Sequence, residues 1–142
     1  MNKIPDGFTA SHRKSPLTDP WEPIYVKPVV AGMILGIEVR EAHCNARGFA
    51  HGGLIAALSD KAMGMSLLAQ ARAIFANDKI GAVTLSMTTD FTDSAQIGDW
   101  LEFRGAVLKT GRSIGFTEMK VIVIRDGAEK LIARANASFK LV

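Results

Sequence analysis

Cysteine is nearly absent from this sequence: Cys44 is the only one. No disulfide can form within the chain, and a reducing, cytoplasmic setting is the expectation. Histidine is scarce too, and none of His12, His43 and His51 lies beyond residue 51. His43, Cys44 and His51 lack the spacing of a zinc site, and no Gly-rich loop of the Walker or dinucleotide type occurs, so neither a metal nor a cofactor is expected. The 17 basic and 14 acidic residues leave a net charge of +3, scattered with no run of five or more. That pattern argues against a nucleic-acid partner, although a few cations would suit a phosphorylated small molecule. No uninterrupted apolar segment is present either. The most apolar stretch, Phe49 to Ala71, is broken by His51, Asp60 and Lys61, which excludes a simple membrane span. Residues 1–26 carry seven charged or histidine side chains and no apolar core, so no signal peptide is expected.

What is present fits one domain with a full core: 142 residues, 48% hydrophobic. All five prolines fall between Pro5 and Pro28. Proline discourages regular structure, so residues 1–30 read as an N-terminal arm with one short helical turn, pinned by Trp21 and Tyr25. The remaining chain, 31–142, reads as a single domain. Leu35, Ile37 and Val39 alternate with Glu38 and Arg40, the pattern of a half-buried strand. Residues 52–73 are rich in Ala, Leu and Met and read as one long helix. Its apolar positions are not confined to a stripe, which predicts burial on most sides. Four strand-like runs follow, Val83–Phe91, Trp100–Leu108, Ile114–Ile124 and Leu131–Lys140, separated by turn residues too few for crossover helices. An antiparallel meander is expected, curling around the helix to bury its apolar surface.

Asp60 stands out. It lies two turns into the helix, too late to be an N-cap, and its neighbours at helical spacing are Gly53, Ala56, Ala57, Met63, Gly64 and Leu67. A carboxylate among such groups loses solvation unless donors compensate. Small side chains in one column also let another backbone or a ligand come close. At the helix start, His51-Gly52-Gly53 exposes free N–H groups at the positive end of the helix dipole, which favours an anion or a developing oxyanion. Gly53 and Asp60 are seven residues apart, roughly 10 Å of rise with little net rotation. They face one way yet cannot serve one carbonyl, so a two-fold dimer with antiparallel helices would be needed to bring them together. Gly111-Arg112-Ser113-Ile114-Gly115 matches the Gly-x-Ser-x-Gly of serine hydrolases. That motif needs a strand before it, a helix after it and a later histidine. Here a strand follows and every histidine is earlier, so Ser113 is not a triad nucleophile.

The segment Asn45-Ala-Arg-Gly-Phe-Ala-His51-Gly52-Gly53, with Asp60 inside an Ala/Leu/Met-rich helix, resembles the hotdog-fold acyl-CoA thioesterases of the PaaI-like group. The likeness continues through Val83–Phe91, Gly98-Asp99 and Leu108–Ser113, covering roughly residues 30–141. It implies an α+β hotdog fold: a long central helix wrapped by a curved antiparallel sheet of five to six strands. It also implies hydrolysis of an acyl-CoA thioester by a dimer or dimer of dimers, with CoA as part of the substrate. Asp60 would then be general base or nucleophile, and the Gly53 N–H would polarise the carbonyl. Asn45 would position the carbonyl or leaving sulfur, His51 would shape the same corner with Gly52, and Thr84 would orient water. Lys109, Arg112 and Ser113 match a turn that borders the CoA nucleotide. The acyl group would lie near Met63 or Leu67. Two other readings compete. A hydratase or dehydratase of acyl thioesters would need His51 to carry a proton, and a non-catalytic acyl-CoA-binding module would have little use for Asp60.

Overall fold

The computed structural model describes residues 4–142. Its strands are β1 (Thr9–Ala10), β2 (Tyr25–Val29), β3 (Gly32–Glu38), β4 (Ala82–Phe91), β5 (Trp100–Thr110), β6 (Ile114–Arg125) and β7 (Ala128–Leu141); the single long helix, α1, spans Gly52–Ile74. One antiparallel sheet runs β1-β2-β3-β5-β6-β7-β4. Seven strands exceed the expected five to six because the arm adds two of them. Proline did not keep the arm irregular. Pro28 pairs with Met33 near the β2–β3 turn, while β1 reaches only Tyr25 and Val26. The missing N–H therefore lies beyond the end of β1, where no ladder bond is lost. The short helical turn expected in the arm is a 3-10 turn at Asp19–Trp21.

The meander is also only partly as expected. β5, β6 and β7 follow one another, but β4 crosses to the far edge and pairs with β7. Turn chemistry constrains neighbours in sequence; the partner of β4 depends on which sheet edge can still cover α1, a long-range matter.

The helix lies on the sheet through Leu54, Ile55, Leu58, Ala62, Met63 and Leu67, which meet Leu35, Ile37, Leu101, Phe103, Met119 and Val121 in the core. Close approach is set by small groups. The Ser66 hydroxyl donates to Ala62 O at 2.7 Å and accepts the Met33 N–H at 2.8 Å. A Cβ on Gly105 would stand 2.6 Å from that hydroxyl oxygen, so only glycine lets strand and helix meet there. The helix is buried on most sides, as expected, but one flank is less covered: Ala56, Ala57, Asp60, Lys61, Gly64 and Met65 are half-buried.

On the outer face the arm covers the sheet, so Gly36 is buried along with Leu35 and Ile37. Trp100 fills the space above Gly36 and is met edge-on by Phe8 at 5.2 Å and at a tilt by Tyr25 at 5.9 Å. Trp21 is pinned as well, through its carbonyl, which accepts a 2.9 Å hydrogen bond from His43 Nε2. Since His43 Nδ1 accepts the Arg40 N–H at 3.1 Å, the ring is a neutral Nε2–H tautomer. Burial pushes its pKa down, with the Trp21 carbonyl opposing and Arg40 reinforcing the shift. No helix among the described residues is long and apolar enough to cross a membrane.

Candidate active site

Asp60 projects from the open flank of α1 into a cavity of 480 Å³. Thr84 Oγ1 donates to Asp60 Oδ1 at 2.7 Å. The donor arrives from β4 because the β4–β7 register slips between Thr84 and Ser86. Such a bulge re-aims a side chain that regular pairing would place otherwise. Helix positions Ala57, Gly64 and Leu68, together with Phe139 from β7, supply the apolar walls, and arm residues 13–18 close one side. Met63 and Leu67, expected beside the acyl group, are fully buried instead. They point into the chain's own core, and the cavity meets Met65 and Leu68 in their place.

At the helix start, His51 is the N-cap, and its Nδ1 accepts the Gly53 N–H at 2.8 Å. This corrects the expectation for Gly53, whose N–H is already engaged. Among the described residues the Gly52 N–H has no acceptor, and an N-terminal helix amide carries the positive end of the dipole. The free donor is therefore one residue earlier than expected. Phe91 lies over Gly52, where an added Cβ would sit 3.5 Å from its ring. Asn45 precedes the helix in a loop closed by its own side chain: Oδ1 accepts from the Arg47 N–H at 2.9 Å and the Phe49 N–H at 3.2 Å. Both acceptor directions of the amide are thus directed into the loop, leaving its NH2 group as an exposed donor near the helix start.

Two clusters result, and a single chain does not unite them. His51, Gly52 and Gly53 form the helix tip, with Asn45 in the loop that precedes it, whereas Asp60 and Thr84 lie further along. Gly52 and Asp60 are eight residues apart, about 12 Å along the axis. Lys109, Arg112 and Ser113 fall in neither cluster. They are exposed around the β5–β6 turn, where Thr110 Oγ1 donates to Gln70 at 2.8 Å. Gln70 is ten residues past Asp60, so this turn borders the far end of the helix, about 15 Å along the axis from the Asp60 position. Ser113 is followed by β6, not a helix. Among the described residues no three His, Cys, Asp or Glu side chains stand close enough to hold a metal.

What the arm covers was left open by the sequence. Lys61 Nζ donates to Arg13 O at 2.5 Å, which ties residues 13–18 to the helix beside Asp60. Burial lowers the Lys61 pKa, with Glu22 and Asp19 working against that shift and Arg13 adding to it. The proline-rich composition concealed this docking, and the one available signal was a lysine next to Asp60 on a flank otherwise made of small residues.

One long helix packed on a wrapped antiparallel sheet defines a hotdog fold. A model of the thioesterase superfamily matches residues 47–128, and the chain belongs to that family. It is 31% identical over 142 residues to a Pseudomonas aeruginosa protein provisionally named an esterase, covering 99% of each chain. Human acyl-coenzyme A thioesterase 13 is 32% identical over 104 residues, 73% of this chain and 69% of that one. A variant of the phenylacetic acid degradation protein PaaI from Thermus thermophilus superposes with a TM-score of 0.71 at 24% identity, covering 89% of this chain and 98% of that one; this likeness is one of fold.

Proposed function

We propose that the protein hydrolyses an acyl-CoA thioester to a free acid and CoA, with two copies of the chain forming each site. The observation that carries this reading is the Asp60 carboxylate, held at a cavity by Thr84 while the unengaged Gly52 amide lies too far along the same helix to share its substrate. An antiparallel helix from a second copy, docked on the small-residue flank, would bring its Gly52 to Asp60. The exposed apolar side chains Val83, Leu85 and Phe91 on edge strand β4 add surface for that association.

In this scheme Thr84 holds Oδ1 and leaves Oδ2 to take a proton from water. The water oxygen attacks the thioester carbon as the carbonyl oxygen accepts from Gly52 N–H of the second copy. The C–S bond then breaks, and the proton passes from Asp60 to the leaving sulfur. Asn45 donates from its NH2 group to the carbonyl or the sulfur. His51 acts as the helix cap that holds Gly53 and shapes the tip. A hydratase role would require His51 as the proton carrier; its Nδ1 accepts the Gly53 N–H in the cap, so only Nε2 could serve that role.

The test is thiol release from a panel of acyl-CoAs. Asp60→Asn is expected to lower kcat by about 10²–10⁴-fold, the usual contribution of a positioned base, with the melting temperature and the oligomeric mass unchanged. Hydrolysis by Asp60→Asn at the wild-type rate would overturn the assignment.

A further inference from the structure

Arm residues 13–18 form a built wall of the Asp60 cavity. The Ser11 N–H donates to Ile24 O at 2.8 Å, and β1 pairs with β2. The hydroxyls of Ser15 and Thr18 meet at 3.0 Å, and Thr18 is buried. Lys61 then fastens the Arg13 carbonyl to the helix. With its backbone fixed in this way, the segment places two cationic side chains at the cavity. Neither the Arg13 guanidinium nor the Lys14 ammonium has an acceptor among the described residues, and both residues are exposed. Of the other charged groups lining it, Lys61 is turned to a backbone carbonyl, and Asp60 accepts from Thr84 and forms no ion pair with Arg13 or Lys14 among the described residues. Asp19 and Glu22, which act on Lys61, are not among the residues lining the cavity. The opposite wall of Ala57, Gly64, Leu68 and Phe139 is apolar. A purely hydrocarbon acyl group would use that wall and leave both cations idle.

Resting on the hydrolase reading above, we propose that Arg13 and Lys14 form an anion-binding rim of this cavity, so that the preferred thioester presents carboxylate or phosphate oxygens to the arm while its apolar portion lies along the helix. Two parts of a substrate can supply such oxygens: a carboxylate at the far end of the acyl group, or the phosphates of CoA.

The experiment compares the full-length protein with its Arg13→Ala/Lys14→Ala variant on four esters: glutaryl-CoA, hexanoyl-CoA, and the same two acyl groups on N-acetylcysteamine. Both side chains are exposed, so the variant is expected to melt with the wild type. A rise in KM of about tenfold with kcat kept is expected for the anionic esters, from the loss of charge-assisted hydrogen bonds. A rise confined to glutaryl esters on either thiol assigns the rim to the acyl carboxylate. A rise confined to CoA esters of either acyl group assigns it to the phosphates. Unchanged KM on all four, or an equal rise on all four, overturns the proposal. If the wild type releases no thiol from any ester, the hydrolase reading fails, and the rim is judged by titration of glutaryl-CoA and hexanoyl-CoA calorimetrically into both proteins. A roughly tenfold weaker Kd in the variant for either CoA ester then supports the rim, and equal Kd values overturn it.

Discussion

Replacing Thr84 by valine keeps the β-branched shape that suits a strand and removes only the hydroxyl. The lost contact is the 2.7 Å hydrogen bond to Asp60 Oδ1. A hydrogen bond to a charged group contributes about 1.5–3 kcal/mol when buried. Here Asp60 is half-buried and Thr84 exposed, so water replaces part of it and about 1–1.5 kcal/mol is the working figure. Each 1.36 kcal/mol is tenfold in rate, so kcat is expected to fall about tenfold, with KM within about twofold because the cavity walls are untouched. Thr84→Ser keeps the donor and is expected to stay within about threefold of wild type, since only a methyl group is lost. The assay is thiol release under saturating acyl-CoA, with melting curves run alongside; at an exposed position the stability change is about 0.5 kcal/mol or less. Full activity in Thr84→Val, or a serine variant as slow as the valine one, would refute the idea that this hydroxyl orients the carboxylate.

Two further expectations concern the frame that carries the site. Gly36→Ala would place a Cβ 2.3 Å from Trp100 Cζ2, and overpacking of this kind costs about 1–3 kcal/mol; chemical denaturation checks it, and an unchanged midpoint would mean that the indole shifts freely. His43 has a folded-state pKa below its usual 6.5, chiefly from burial. The unfolded chain therefore binds the proton more readily, so this contribution to stability is present in full above about pH 6.5 and is lost as pH falls through the folded value. Melting temperatures between pH 8 and pH 5 should decline on the acid side for wild type and decline less for His43→Gln.

The sequence and the structure agree where information is local. The helix expected over residues 52–73 ends one residue later, at Ile74, because Ala, Leu and Met favour helix wherever they are placed. The Gly98-Asp99 and Thr110-Gly111 turns divide strands as read. Asp60 was legible as a carboxylate on a small-residue face, since helical spacing alone sets its neighbours. Which side of that helix would meet the sheet was not legible, because nearly every position is apolar or small. Met63 and Leu67 went inward, and Met65 and Leu68 took the cavity.

Other features depend on contacts between distant parts of the chain. Asp60 and Thr84 are 24 residues apart, and a bulge in the pairing of β4 with β7 brings them together. The docking of the arm rests on a lysine that reaches a carbonyl 48 residues away. Even the choice between Gly52 and Gly53 as the free amide waited on the direction of one imidazole. Periodicity and composition, acting over a turn or a hairpin, determined the elements. Strand order, the wall of the cavity and the unengaged donor were decided by packing, because those outcomes depend on surfaces that exist only once the chain has closed on itself.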